Sequence, residues 1–282
     1  MRYVMTIVAL CLGVFMSPCT MAQEAALDES VTTVSLPRGT ELSLVVSKKP
    51  GSSPSTAALL FPGYPGVLRV EVQNGAPVYQ LRGNFLVRAR RHLVSDQVMT
   101  VMVDCPKDRW SNCDDDYRAS DQHAADVGAA IDKLKADFGI GKVYLVGTSY
   151  GTVSSAFLAR KLDGRIDGAV HTSTFTDPRA GRNRNAHGLP MWNFDWTATH
   201  VDQLFVHHQD DPCPLTQYRS IAARRGNIPL ITVQGSKGAR GEPCEAFSQH
   251  GFVGREQVVM RAIGDWISTR KVVETVGEKG DE

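Results

Sequence analysis

Ser149 sits in the run Gly147-Thr148-Ser149-Tyr150-Gly151, directly after the apolar stretch Lys142-Val143-Tyr144-Leu145-Val146 and directly before a segment of helical character. A tight strand-to-helix turn leaves no room for large side chains at its flanks, which suits glycine at 147 and 151, and it projects the serine hydroxyl outward. A helix starting behind the serine favours negative charge developing in front of it. A serine hydroxyl is a weak nucleophile, so it needs a base to take its proton and an acid to orient that base. Downstream, the apolar run Leu204-Phe205-Val206-His207-His208 leads into an acidic turn at Asp210-Asp211. Further on, Gln249-His250-Gly251-Phe252 falls between the last strand-like and the last helix-like segment. The eight histidines have no metal-ligand spacing.

The elements around these groups follow a regular order. Two β-like runs, Thr32–Leu36 and Glu41–Val46, are joined by turn-forming Pro37-Arg38-Gly39-Thr40. The apolar run Ala57–Phe61 stops at Pro62-Gly63-Tyr64-Pro65-Gly66, and further strands are expected at Val67–Val72, Phe85–Ala89 and Val98–Val103. Within Ser120–Phe138 the residues Ala124, Val127, Ile131, Leu134 and Phe138 share a helical stripe, with Gly139 placed to end the helix. Strands follow at Val143–Val146, Gly168–His171, Leu204–His207 and Leu230–Val233, separated by a helix over 150–162, and a last helix carries Val259, Ala262, Ile263, Trp266 and Ile267. Such alternation predicts an α/β protein with a mostly parallel sheet covered by helices on both faces. Residues 174–199 fit neither period. They carry Arg179, Arg182, Arg184, His187, Trp192, Phe194 and Trp196 and read either as a lid over a pocket or as a plain connection.

With 282 residues, 42% of them hydrophobic, the chain can fill one large core. A net charge of +1 gives no reason to expect nucleic acid or an anionic membrane as partner. Arg2, the apolar run Val4–Met16, Pro18 and the small residues Thr20 and Ala22 read as a signal peptide over 1–22, too short to span a membrane. Met16, Ser17 and Pro18 fit a lipidation signal at Cys19 poorly, so no stable membrane anchor is expected. The chain then divides into 1–22, a leader and β-hairpin over 23–55, a main domain over 56–270 and a polar tail over 271–282. Export to the periplasm or the exterior leaves Cys105, Cys113, Cys213 and Cys244, an even number in an oxidising compartment. Of three pairings, sequence proximity favours Cys105–Cys113 and Cys213–Cys244.

The strand-borne serine turn, the acidic turn and the histidine loop, in that order, resemble the α/β-hydrolase superfamily, and specifically a secreted, esterase- or lipase-like serine hydrolase. The resemblance runs from about residue 56 to 267. It implies Ser149 as nucleophile, Asp211 as the acid (Asp210 the alternative) and His250 as the base. It also implies an oxyanion hole made by the backbone N–H groups of Tyr150 and Tyr64. Phe61-Pro62-Gly63-Tyr64 stands where the family has a His-Gly-x turn, and Pro62 replaces the histidine. The expected reaction is hydrolysis of a carboxylic ester on a small-molecule or acyl-bearing substrate, without a cofactor. A peptidase or acyltransferase would use the same residues, and a catalytically silent binding protein is the reading from another class.

Overall fold

The computed structural model describes residues 26–176 and 191–278. The signal segment, Arg179, Arg182, Arg184 and His187 lie outside the described residues.

The strands are β1 (Asp28–Leu36), β2 (Thr40–Lys48), β3 (Thr56–Phe61), β4 (Glu71–Gln73), β5 (Ala76–Val78), β6 (Val98–Val103), β7 (Lys142–Thr148), β8 (Gly168–Thr172), β9 (Gln203–His208), β10 (Leu230–Val233) and β11 (Thr275–Val276). The helices are α1 (Phe85–Ala89), α2 (Asp115–Arg118), α3 (Asp121–Phe138), α4 (Gly151–Lys161), α5 (Tyr218–Arg224) and α6 (Glu256–Thr269). Nine strands form one sheet in the order β1-β2-β6-β3-β7-β8-β9-β10-β11. From β6 to β11 every neighbouring pair is parallel, while β2 pairs antiparallel with both β1 and β6.

The period of two along each strand divides the core between the two faces. Ala58 and Leu60 of β3 face a cluster with Phe85 and Leu86 of α1 and Val259, Ile263 and Trp266 of α6. Ala57, Leu59 and Phe61 face the opposite cluster, with Val127, Ile131 and Leu134 of α3 and Leu158 of α4. Because helices cover both faces, β3, β6, β8 and β9 are buried at every position, which is why they read as continuous apolar runs. Helix α3 starts where the Ser120 hydroxyl accepts the His123 N–H at 3.1 Å, and Gly139 follows its last residue in the left-handed conformation.

Two expectations are corrected. Phe85–Ala89 is helix α1, not a strand: the Asn84 side-chain oxygen accepts the Leu86 N–H at 3.1 Å and caps a helical turn, and a five-residue apolar run carries no period of its own. Val67–Val72 is not a strand, because the buried Asp104 carboxylate takes the Leu68 and Val70 N–H groups at 2.7 and 3.0 Å where a neighbouring strand would. Only Glu71–Gln73 pairs, in a ribbon with Ala76–Val78. The hairpin β1–β2 is continuous with the main sheet through β6, and Thr275–Val276 of the polar tail adds an edge strand beside β10.

Candidate active site

The turn after β3 and the end of β8 pack against Ser149 at the end of β7. Ser149 lies between β7 and α4 with φ of 52°, in the left-handed region, and its N–H donates to the Thr172 carbonyl at 3.0 Å. A non-glycine residue there carries about 1–3 kcal/mol of backbone strain, which persists only where the surroundings hold it. The surroundings are tight. A side chain on Gly151 would collide with the carbonyls of Phe61 and Pro62, and one on Gly147 with Ser155 and the Gly151 carbonyl. Ser149 itself is half-buried.

Asp211 and His250 come together from β9 and from the loop before α6. Asp211 Oδ2 lies 3.1 Å from His250 Nδ1, with the carboxylate side chain fully buried and the imidazole 6% exposed. Asp211 Oδ1 accepts the Cys213 N–H at 2.9 Å. The Thr216 hydroxyl donates to Asp211 Oδ2 at 2.8 Å and sits 3.0 Å from the same imidazole nitrogen. Asp210, the alternative acid, is exposed, and its N–H donates to His208 Nδ1 at 3.1 Å. With Nδ1 turned to the acid, Nε2 is the nitrogen of His250 turned away from it.

The histidine loop is fastened along its backbone. The His250 N–H donates to the Ser248 hydroxyl at 3.2 Å, and the Ser173 hydroxyl donates to the His250 carbonyl at 2.8 Å. Thr172 and Ser173, at the end of β8, therefore hold the nucleophile with one residue and the histidine loop with the next. Phe252 inserts into the core with its ring centroid 4.7 Å from that of Phe85.

The two tyrosines expected at the oxyanion hole lie beside each other, Tyr150 next to Ser149 in sequence. Tyr150 follows it directly, its buried phenol raised in pKa by desolvation and then by a hydrogen bond to Asp115. Tyr64 is 77% exposed, and its ring meets the Tyr150 ring edge-on at 5.9 Å, in a turn whose Tyr64–Pro65 peptide is cis. Nearby, the buried His207 is pushed down to about 4 by desolvation, and its neutral Nε2 accepts the Thr174 N–H at 2.7 Å.

Cys213 and Cys244 are bonded, with Cα atoms 4.6 Å apart, so a covalent link joins the acid turn to the histidine loop. Cys105 and Cys113 form the second bridge, which packs with Val67 and Tyr117. Of the irregular 174–199 stretch, the described ends are packed: Phe175, Met191 and Trp196 are buried in one cluster with Tyr150 and Phe205. Among the described residues no group of three His, Cys, Asp or Glu could hold a metal, and no helix is long and apolar enough to cross a membrane.

Thr216, Ser173 and Arg88 escaped the sequence reading. The first two are small hydroxyls in segments without a motif. Arg88 reaches the histidine loop from α1, a distance along the chain that no local pattern encodes.

A family model for the alpha/beta hydrolase fold matches residues 105–209. An α/β serine hydrolase described as lacking a lid, from Xanthomonas campestris, superposes with a TM-score of 0.55 at 14% identity, covering 86% of this chain and 94% of that one. Est1E from Butyrivibrio proteoclasticus does so with a TM-score of 0.55 at 14% identity over 84% of this chain and 97% of the other. A putative dipeptidyl aminopeptidase IV from Bacteroides ovatus gives 0.56 at 12% identity, covering 86% of this chain but 36% of its own. No curated protein sequence matches the chain. The chain is thus an α/β-hydrolase-fold protein. Its central sheet is mostly parallel and clad in helices.

Proposed function

We propose that this protein is a serine hydrolase that cleaves a carboxylic ester through Ser149, His250 and Asp211. The observation that carries the reading is the 3.1 Å approach of the buried Asp211 carboxylate to His250 Nδ1, in a chain whose strand-to-helix turn holds Ser149 at positive φ. In this reading His250 Nε2 takes the Ser149 proton as the hydroxyl oxygen attacks the acyl carbon. The tetrahedral oxyanion is met by the N–H groups of Tyr64 and Tyr150. Collapse returns the proton to the departing alcohol and leaves an acyl-serine, which a water activated by His250 hydrolyses. Asp211 keeps the imidazole in the required tautomer and offsets its charge.

Ester chemistry is favoured over peptide chemistry by the company the chain keeps. Est1E, a structure with ferulic acid bound to it, and an esterase from an Arctic intertidal metagenomic library all superpose over more than nine-tenths of their own length. The peptidase matches through about a third of its chain. Retention of serine, histidine and acid speaks against a silent binding protein. Two disulfides support export to an oxidising compartment, with residues 1–22 removed.

The test is labelling of the mature chain from Gln23 by a fluorophosphonate, with turnover of short-chain nitrophenyl esters measured in parallel. Labelling and turnover are expected, both lost in Ser149→Ala and His250→Ala. A folded, disulfide-intact parent that neither labels nor turns over esters overturns the proposal.

A further inference from the structure

A methyl carbon placed on Gly63 would stand 3.2 Å from Ser149 Cβ, 3.3 Å from the Thr148 carbonyl and 3.4 Å from Asn84 Nδ2. Asn84 therefore reaches the same small space as the nucleophile, beside the turn that leads to Tyr64. Its amide is oriented unambiguously. The side-chain oxygen accepts the Leu86 N–H at 3.1 Å, which only oxygen can do, so the NH₂ group is the end that approaches Gly63. Among the described residues Nδ2 makes no hydrogen bond, and Asn84 is half-buried. A donor held by a helix cap, across the Gly63 backbone from the nucleophile and without a protein acceptor among the described residues, is pre-organised for an acceptor that arrives with the substrate.

We infer that Asn84 Nδ2 is a further hydrogen-bond donor to the oxyanion formed on attack by Ser149. The inference rests on the serine-hydrolase reading above. Capping fixes the donor before substrate binds, so little reorganisation accompanies charge development. It also explains why position 63 is glycine: any side chain there would fill the gap between the amide and Ser149. An amide serves where a plain cap does not, because Ser or Asp at 84 would start α1 as well but supply no such donor.

The experiment is steady-state ester hydrolysis by Asn84→Ser and Asn84→Asp, with thermal midpoints measured alongside. Both substitutions keep the cap, so midpoints are expected within a few degrees of the parent. Asn84→Ser is expected to lower kcat on the order of 10²-fold with KM little changed, as for loss of one oxyanion donor. Asn84→Asp lowers it further, since a carboxylate then faces the developing negative charge. An active parent whose kcat survives both substitutions overturns this inference alone. A parent without labelling or turnover overturns the hydrolase reading and this inference with it.

Discussion

Arg88 donates from Nη2 to the Gly251 carbonyl at 2.7 Å, tying α1 to the residue after His250. The same guanidinium donates to the Gly83 carbonyl at 2.6 Å and to Glu256 at 3.0 Å, and its carbon lies 5.0 Å from the centroid of the Phe247 ring. One planar cation thus holds the histidine loop from both sides. Arg88→Met keeps the aliphatic stem and loses these bonds. It is expected to lower kcat roughly tenfold and stability by about 1–3 kcal/mol. Adding Glu256→Gln removes the orphaned charge and recovers stability but not kcat; kinetics and denaturant unfolding of the single and double variants separate the two effects.

The Thr216 hydroxyl shares the contact between acid and imidazole. Thr216→Val keeps the shape and removes one hydrogen bond to Asp211. At about 0.5–1.5 kcal/mol for such a bond, kcat is expected to fall about three- to tenfold. Asp211→Asn, which disturbs the imidazole tautomer, is expected to cost about 10⁴-fold. Esterase kinetics on the two variants check the order.

Replacing Cys213 and Cys244 together by alanine opens a 31-residue link. Loop-closure entropy predicts a loss of about 3.7 kcal/mol. Because the bridge joins the turn of Asp211 to the loop of His250, turnover well below the melting temperature is expected to fall as well. Unchanged turnover would sink the functional part of that claim.

His123 is buried between the rings of Phe61 and Tyr117, and among the described residues neither ring nitrogen has a hydrogen-bond partner. Desolvation, then the Arg118 charge, pushes it down to about 3. The unfolded chain protonates this histidine near pH 6.5 and the folded chain does not. Its contribution to stability is therefore complete above that pH and is lost as pH falls from about 6.5 toward 3. Each such histidine adds about 1.4 kcal/mol per pH unit to the slope in that window, and His171 and His207 act in the same direction. His123→Phe is expected to leave the fold intact and flatten the slope by one proton, measured by urea unfolding between pH 4 and 7.

The parallel strands and the long helices were legible because their periods are strong. Val143, Leu145 and their neighbours form unbroken apolar runs, and the stripe Ala124–Val127–Ile131–Leu134 lines one side of α3. The serine and acid turns stood out because each follows such a run, β7 before Ser149 and β9 before Asp210-Asp211, and the histidine loop because it falls between β10 and α6. What was lost depends on partners distant in sequence. Phe85–Ala89 becomes helical through a single cap at Asn84, and Val67–Val72 gives up pairing because Asp104, 34 residues on from Val70, takes its N–H groups. Arg88 and Thr216 have no signature at all, since any polar residue suits their local segments.

Ser173, Arg88 and the 213–244 bridge each grip the histidine loop from a different element of the fold. No single element can loosen without two others still holding. The loop therefore melts with the sheet, not ahead of it. Heat should extinguish the reactivity of His250 in the same cooperative step that extinguishes the near-ultraviolet dichroism of the core, leaving no interval in which the body stays folded and the base has come adrift.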